Sequence, residues 1–236
     1  MMPFAVNTSA RFTRRLMGSE NQPLVVIDDA LAVPQNLVDL ACRTPFSPPP
    51  GGFYPGLNAP LPRDYVTGLT AAVRPLMEQA FGMAASHRVE LSGYFGLATE
   101  APDTLAPIQM LPHHDSTNPC QLALVHYLPA GLQGGTGFYR QDETGFESID
   151  GSRQPAYSAV CARQTADAGD LNRHVGPHTP GYTLIDSVDA VFNRLILYRT
   201  TSLHSGLLET SRLTQDPTTG RLTANIFIRP SQSNET

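Results

Sequence analysis

Pro112-His113-His114-Asp115-Ser116 is the stretch from which the fold of this chain is predicted, together with the distant His204. Its first histidine and its aspartate have the spacing His-x-Asp. Side chains at positions i and i+2 of an extended strand point to the same side, so His113 and Asp115 can reach one metal ion. A second histidine on a neighbouring strand of the same barrel, His204, completes a set of two imidazoles and one carboxylate. That set is typical of non-haem Fe(II) sites.

Composition favours a turn-rich β protein. The 236 residues are 41% hydrophobic, enough for one sizeable core, and the 21 prolines, 19 glycines and 16% charged residues argue against a helical bundle. The net charge is -5, without a basic run for nucleic acid or an anionic membrane, and no stretch has the length of a transmembrane helix. Three cysteines without metal-binding spacing, Cys42, Cys120 and Cys161, fit a reduced cytoplasmic compartment.

The opening stretch allows two interpretations. Arg11, Arg14 and Arg15 stand among serines and threonines, and no acidic residue precedes Glu20. A transit peptide has this composition, and so does a frayed polar start. We favour the polar start.

The predicted elements run from a helical first part to a strand-rich second part. Helical spacing is found at residues 34–43 and again at 62–81, where Pro75 predicts a kink or a division into two helices. Residues 44–59 are rich in proline and glycine and predict a loop. Apolar or alternating runs predict strands at 24–27, 88–97, 108–111, 121–128, 138–140, 182–185, 192–198 and 222–228.

Five short motifs follow one another in the second part: Pro112 to Ser116, Tyr127-Leu128-Pro129, Gly134 to Arg140, Asn193 to Tyr198, and His204-Ser205-Gly206. In this order they resemble the Fe(II)/2-oxoglutarate-dependent oxygenases, in the prolyl-hydroxylase-like branch, and within that superfamily an uncharacterised bacterial family. The resemblance implies a mainly β fold with N-terminal helices, built on a double-stranded β-helix, the cupin-like jelly-roll barrel. Residues 1–236 would form one domain, with residues 1–87 supporting a core at 88–229.

The resemblance implies that His113, Asp115 and His204 are catalytic and bind Fe(II). Neutral imidazoles and a carboxylate hold the metal on one face and leave three positions for the 2-oxoacid and dioxygen. Halogenating relatives carry a small residue in place of the carboxylate. Because Asp115 is present, hydroxylation is the expected reaction.

A cation is needed for the far carboxylate of 2-oxoglutarate, and a guanidinium binds it through two parallel hydrogen bonds. In the family this arginine opens the last core strand, which matches Arg221. Arg212 lies nearer the family's usual distance from His204 and stays an alternative; an inserted turn at residues 215–219 accounts for the difference. Tyr127 matches a tyrosine that hydrogen-bonds the same carboxylate in the prolyl-hydroxylase branch.

Other polar residues near the motifs have simpler interpretations. His114 is the metal ligand instead of His113 if the turn is shifted. His126 is expected to be a strand residue. Arg194 is expected to form structural ion pairs, and Arg140 is either a solvated charge or a substrate contact at the barrel mouth.

Residues 141–181 are polar and without clear periodicity, which predicts a long irregular insertion. Such a segment cannot bury a core of its own, so we expect it to form a lid or rim over the metal site. Loops on a rigid scaffold usually carry recognition. His174 and His178 are expected at the surface, with substrate contact as the alternative.

The expected function is an Fe(II)- and 2-oxoglutarate-dependent dioxygenase acting on a small molecule or an amino-acid or peptide substrate, with no nucleic-acid or membrane partner. Two alternatives stay open. One is a metal-binding cupin-like barrel whose chemistry does not use 2-oxoglutarate, which loss of the Arg221 match would favour. The other is a non-catalytic binding protein on the same fold. Neither the substrate nor the oligomeric state can be deduced from the sequence.

Overall fold

The structure, a computed structural model, describes residues 4–49, 51, 54–84, 86–128, 134–166, 173–209, 211 and 213–231. The α-helices in these ranges are α1 (Gln35–Ala41), α2 (Arg63–Phe81) and α3 (Gln154–Ala166), and two 3-10 helices lie at Pro102–Thr104 and Pro107–Met110. The strands are β1 (Arg11–Met17), β2 (Gln22–Asp28), β3 (Gly56–Pro60), β4 (Val89–Ala98), β5 (Leu122–Tyr127), β6 (Thr136–Gln141), β7 (Tyr182–Val188), β8 (Leu195–Arg199), β9 (His204–Gly206) and β10 (Arg221–Pro230).

The strands form two antiparallel sheets. Seven strands pair in the order β1-β2-β8-β5-β10-β4-β3, and three in the order β7-β6-β9. The chain is therefore mostly β with few helices, as composition and motifs predict. None of the helices in the described ranges combines the length and apolar character that a bilayer crossing requires.

The central strands of the large sheet are buried on both faces. Leu122 and Leu124 of β5 pack in a cluster with α1 and α2. Ala123 and Val125 alternate to the other side and share a second cluster with Phe138 of β6. Each large apolar side chain buried in this way contributes roughly 1.5–3 kcal/mol. Helices cover one face of the large sheet, and the small sheet covers the other.

Helix α2 is continuous despite Pro75. Proline lacks the N–H that would bond the carbonyl four residues earlier. Pro75 and Ala71 are both on the exposed side of the helix, so water can satisfy that carbonyl. Gly82 ends the helix in a left-handed conformation, with a φ of 72°.

Strand β1 occupies the stretch that we interpreted as a polar start, and that interpretation is wrong for its residues. The strand is exposed on both faces, so it has no apolar alternation that would predict it. It pairs with β2 along its whole length. Arg15 also forms a two-bonded ion pair with Asp186 of β7, at 2.8 and 3.0 Å. Strand β1 is therefore held in place by backbone pairing and by this ion pair, and not by burial of apolar side chains.

Three further segments differ from expectation. Residues 56–60, predicted as loop, form β3 at the edge of the sheet beside β4. Of residues 108–111, predicted as strand, the first three belong to the 3-10 helix Pro107–Met110. Within the predicted irregular insertion, α3 places Tyr157, Val160 and Cys161 on a narrow buried stripe.

Part of residues 141–181 is therefore packed, contrary to the prediction of an irregular segment. Ile149, Tyr157, Cys161 and Val175 share a buried cluster with residues from outside the segment. Those partners are Leu111, Tyr139, Tyr182 and Leu203. The apolar residues of this segment are few, and they are buried because strands and flanking loops supply the remainder of the cluster. Residues 167–172 of the predicted insertion lie outside the described residues.

Candidate metal centre and cavity

The backbone holds His113 and His204 opposite each other. Each amide N–H donates to the carbonyl of the other residue, at 2.9 and 2.8 Å, in an antiparallel bridge. Two residues later, the amide of Asp115 donates to the carbonyl of Thr200 at 2.9 Å. These bonds fix the His-x-Asp segment beside β9, so the positions of its side chains are set by the sheet.

His113, Asp115 and His204 converge. Each offers one potential ligand atom, and these three atoms lie within 4.8 Å of one another. Asp115 places Oδ1 3.7 Å from His113 Nε2 and Oδ2 3.5 Å from His204 Nε2. Two imidazole nitrogens and a carboxylate thus surround one point, in a set that suits a divalent transition metal.

Hydrogen bonding prepares His204 for this role. Its Nδ1 lies 2.9 Å from the carbonyl oxygen of Ser202, which can only accept, so the proton is on Nδ1 and the lone pair on Nε2 faces Asp115. Burial lowers the pKa of His204 to about 4. Burial and the neighbouring His204 lower the pKa of His113 to about 4, and burial raises the pKa of Asp115. Both rings are neutral at pH 7, the form that binds metals.

His113 has 54% of its side-chain surface accessible, although its pKa reflects burial. The exposed fraction and the lowered pKa are compatible, because His113 borders two cavities of the protein. His113 lines a cavity of about 470 Å³ and a second one of about 560 Å³ between α3 and the 3-10 helix at residues 107–110. His113 is therefore within reach of a ligand in either cavity.

The 470 Å³ cavity lies on the face of β10 opposite the helices. Arg221, Thr223, Asn225 and Phe227, alternate residues of that strand, line it together with the three converging residues. Arg221 is only 5% exposed. Its Nη2 donates to the carbonyl of Gly135 at 2.8 Å, while its Nε is buried without a hydrogen-bond partner in the described part of the chain. A buried guanidinium with a spare N–H is suited to an anionic ligand.

Tyr54 is a cavity residue that sequence reasoning missed. Its hydroxyl is buried and, within the described ranges, has no well-formed hydrogen bond, although Arg221 and Thr223 are close enough to offset part of the rise that burial causes in its pKa. It lies in the proline- and glycine-rich stretch before β3. No spacing or motif there distinguishes it, because only pairing of β3 with β4 brings that stretch to the cavity.

Tyr127 and Arg212 are the other residues predicted to bind the far carboxylate of 2-oxoglutarate, and Tyr127 does not line the cavity. Tyr127 is fully buried, and its hydroxyl donates to Thr136 Oγ1 at 2.7 Å. Thr136 lines the cavity, whereas Tyr127 is in the layer behind it. Arg212 lies outside the described residues, as does Pro129 of the tyrosine motif.

Close backbone approaches account for the glycines of the motifs. A Cβ atom on Gly134 would lie 1.8 Å from the carbonyl oxygen of Leu207, and one on Gly135 1.8 Å from that of Val188. Both glycines therefore bring β6 against its neighbours, and Gly135 also carries the carbonyl that Arg221 binds.

A family model matches residues 8–228 of the chain; it describes a family of unknown function, DUF6445. The chain belongs to this family. No curated protein matches the sequence.

Three solved structures similar to this DUF6445 member share little sequence with it. HygX from Streptomyces hygroscopicus, with nickel, 2-oxoglutarate and hygromycin B bound, is 14% identical, with a TM-score of 0.47 over 90% of this chain and 84% of that one. An N-substituted L-amino acid dioxygenase from Burkholderia ambifaria is 12% identical, with a TM-score of 0.41 over 92% and 85%. EvdO2 from Micromonospora carbonacea var. aurantiaca, complexed with 2-oxoglutarate, is 12% identical, with a TM-score of 0.39 over 94% and 96%.

His126 of this DUF6445 member belongs to a buried polar network away from the cavity. Its Nδ1 accepts from the Tyr65 hydroxyl at 2.9 Å, and its Nε2 donates to Asn193 Oδ1 at 3.1 Å. Asn193 also bonds both the amide and the carbonyl of Leu31. His126 is a strand residue, as expected, and its hydrogen bond to Tyr65 connects α2 to the central sheet.

The two histidines of the predicted insertion differ. His178 is exposed, as expected. His174 is only 4% exposed and lines the 470 Å³ cavity, so the expectation that it lies at the surface is wrong. The turn after it is closed by hydrogen bonds between Gly176 and Thr179. His114 lines both cavities and stacks edge-on against Tyr157 at 5.4 Å.

Two arginines of the motifs form ion pairs. Arg194 pairs with Asp28 at 2.6 Å, as expected. Arg140 lies 3.6 Å from Glu147, a buried carboxylate that also accepts from Ser19 and Glu20. Burial opposes ionisation of Glu147, but these hydrogen bonds and Arg140 outweigh it, so its pKa is lowered. Arg140 is therefore a partly solvated charge, with 39% of its side chain exposed, and Glu147 is its structural partner.

Proposed function

We propose that this protein is an Fe(II)- and 2-oxoglutarate-dependent oxygenase that hydroxylates a small molecule or an amino-acid or peptide substrate. One observation carries the proposal. A converging His-Asp-His set and a buried arginine with a spare N–H line the same cavity. The first suits the metal, and the second suits the carboxylate of the cosubstrate.

His113, Asp115 and His204 would hold the metal. The donor set fits Fe(II), because imidazole and carboxylate are ligands of intermediate and hard character and leave positions open on one side. The hydrogen bond from His204 Nδ1 to the Ser202 carbonyl orients the ring and leaves Nε2 available for the metal. The carboxylate of Asp115 leaves no position for a bound halide, which supports hydroxylation over halogenation.

Arg221 and Tyr54 would bind the far carboxylate of 2-oxoglutarate. Each has a buried polar atom without a partner in the described residues, and an anion accepting from both would satisfy them together. Thr136, oriented by Tyr127, presents a further hydroxyl to the cavity. Bound together, Fe(II) and 2-oxoglutarate would activate dioxygen: one oxygen atom would enter succinate as 2-oxoglutarate loses carbon dioxide, and the other would become the hydroxyl of the product.

The chain would form one domain. The two antiparallel sheets would be the halves of a double-stranded β-helix, with residues 1–87 as its support. Residues 141–181 would form the rim of the site. Support for the rim is positional, because His174 lines the cavity and Tyr157 of α3 donates to the carbonyl of Pro112, next to His113. A rim of this kind excludes water from the reaction and contacts the substrate.

The substrate would be small. HygX has been solved with hygromycin B, and the Burkholderia protein is an N-substituted L-amino acid dioxygenase. Among the described residues, Arg221 and Asp115 are the charged side chains lining the cavity besides its histidines. Both have roles in this proposal, so recognition of the substrate would rest mainly on neutral groups.

Anaerobic titration with Fe(II) and then with 2-oxoglutarate, followed by optical spectroscopy, tests the proposal. We expect metal binding first, and then a visible charge-transfer band when 2-oxoglutarate chelates the metal. Arg221→Ala should weaken the second step by about 100-fold, since a charge-assisted pair of hydrogen bonds is lost, and should leave the first unchanged. Metal binding without any response to 2-oxoglutarate would contradict the proposal and favour a cupin-like protein that does not use this cosubstrate.

A further inference from the structure

His174 has no role in the metal site or in cosubstrate binding, yet it is built into the cavity. The His174 residue is only 4% exposed, and its Nε2 has no hydrogen-bond partner in the described ranges. Leaving such an atom unsatisfied destabilises the folded protein. An unpartnered polar atom on a residue that lines a cavity together with His113, Asp115 and His204 points to a ligand in that cavity.

The surroundings of His174 hold the ring in place. Val175, next to it, is 2% exposed and packs in the cluster with Tyr139 and Tyr157. The Tyr139 hydroxyl donates to the carbonyl of Gly176 at 3.1 Å, and Thr179 closes the following turn. The ring is therefore positioned by a packed segment, which is what a positioning residue requires.

The chemistry of the ring indicates what it can bind. Burial lowers the pKa of His174, and Glu209 and the backbone of Glu100 oppose this shift. A backbone group that raises the pKa of an imidazole is a carbonyl oxygen, which can accept from a ring N–H. The tautomer protonated on Nδ1 would use its N–H within the protein and leave Nε2, which has no partner in the described ranges, without a proton. A neutral ring with its proton on Nδ1 presents Nε2 to the cavity as an acceptor.

We propose that His174 carries its proton on Nδ1 and positions the substrate through Nε2, and that the substrate group it receives is a hydrogen-bond donor, a hydroxyl or an N–H, close to the reacting carbon. This inference rests on the proposed oxygenase function. It narrows the substrate class, because a ligand that offers only carboxylates or ethers would leave Nε2 unsatisfied. An alcohol, an amine or an amide satisfies it.

The first test needs no substrate. Protein labelled with ¹⁵N-histidine and loaded with diamagnetic Zn(II) and 2-oxoglutarate is examined by NMR at pH 7.5, and His174→Phe identifies the resonance. We expect a neutral ring with the proton on Nδ1 and a non-protonated Nε2. A proton on Nε2, or an imidazolium ring, would overturn the proposal whatever the outcome of the Fe(II) titration.

The second test uses amino alcohols, amino acids, N-acyl amino acids and amino sugars, each paired with its O- or N-methylated derivative. The measurement is the increase in 2-oxoglutarate turnover. We expect donor-bearing compounds to raise turnover and their methylated partners to fail. A set in which only methylated compounds raise turnover, or none does, contradicts the proposed substrate class.

Variants then separate positioning from packing. His174→Phe keeps the volume and should raise KM for an active compound by about 10- to 100-fold. His174→Gln returns an acceptor oxygen near the place of Nε2 and should recover most of that loss. His178→Gln, at the exposed histidine four residues later, is the matched control. Equal KM values for His174→Phe and wild type would contradict the role, and a lost second titration step in wild type would contradict the oxygenase function itself.

Discussion

His126 and His204 are both buried, and burial lowers the pKa of both to about 4, but their ring nitrogens are used differently. Both nitrogens of His126 have protein partners, Tyr65 and Asn193. His204 uses only Nδ1 within the protein, and its Nε2 faces Asp115 and the cavity. A low pKa therefore does not distinguish a structural histidine from a functional one; the partner of each nitrogen does.

Replacing His204 should have the largest effect on function. His204→Ala removes one of three converging ligands, and we expect loss of detectable Fe(II) binding by isothermal titration calorimetry and loss of 2-oxoglutarate turnover. The unfolding free energy of the metal-free protein should change much less, because the variant leaves no buried acceptor other than the Ser202 carbonyl without its partner. Unchanged Fe(II) affinity in this variant would remove His204 from the metal site.

His126→Phe should have the opposite profile. It leaves the Tyr65 hydroxyl and one acceptor position of Asn193 without the imidazole in a dry core. Each unsatisfied group costs about 1–3 kcal/mol, so we expect urea unfolding to show a loss of about 2–5 kcal/mol. Fe(II) affinity should stay at the wild-type value. A stable variant with weakened metal binding would reverse the comparison between the two histidines.

The strands that carry the site could be predicted because their local signals agree with their environment. β5, β8 and β10 are buried on both faces and have apolar runs. His113 and Asp115 converge as their spacing predicts, although His113 forms an isolated bridge with His204 and the segment is not part of a strand. Arg221 could be placed because a strand follows it directly. In these elements local pattern and tertiary structure indicate the same result.

The parts that could not be predicted depend on distant partners. β1 has no apolar face and is ordered by pairing with β2. Tyr54 reaches the cavity because β3 pairs with β4, which no local pattern in residues 44–59 indicates. His174 was expected at the surface because its neighbours in sequence are polar. Its burial follows from the cluster that Val175 joins, which includes Leu111, Tyr139 and Leu203 from distant parts of the chain.

The pH dependence of stability should sharpen the comparison. The pKa of His126 is about 4 in the folded protein and about 6.5 in an unfolded chain. Between these values the unfolded chain holds a proton that the folded protein lacks, so the unfolding free energy falls as the pH is lowered. The contribution is complete above about pH 6.5 and is lost towards pH 4, with a maximum of about 3 kcal/mol.

The pH measurement compares urea unfolding of wild type and His126→Phe at several pH values. His113 and His204 titrate in the same range in both proteins, so the difference between the two curves isolates His126. We expect the stability gap to narrow as the pH is lowered from 7 to 4. Parallel curves would mean that His126 accepts a proton in the folded state as readily as in the unfolded chain.

The smallest expected effect concerns two buried tyrosines that repeat the contrast between the histidines. Tyr65 donates to His126, whereas the Tyr54 hydroxyl has no well-formed partner in the described residues and faces the cavity beside Arg221. Tyr65→Phe should destabilise the fold by about 1–3 kcal/mol, because the imidazole loses its donor.

Tyr54→Phe removes a hydroxyl that the folded protein does not satisfy, so its unfolding free energy should equal or exceed that of wild type. The same change should weaken 2-oxoglutarate binding by about 5- to 10-fold, the value of one hydrogen bond of about 1 kcal/mol, with Fe(II) affinity unchanged. Calorimetric titration of 2-oxoglutarate into metal-loaded Tyr54→Phe, with Tyr65→Phe as the matched control, measures both effects. Equal 2-oxoglutarate affinities in the two variants would exclude Tyr54 from the carboxylate site.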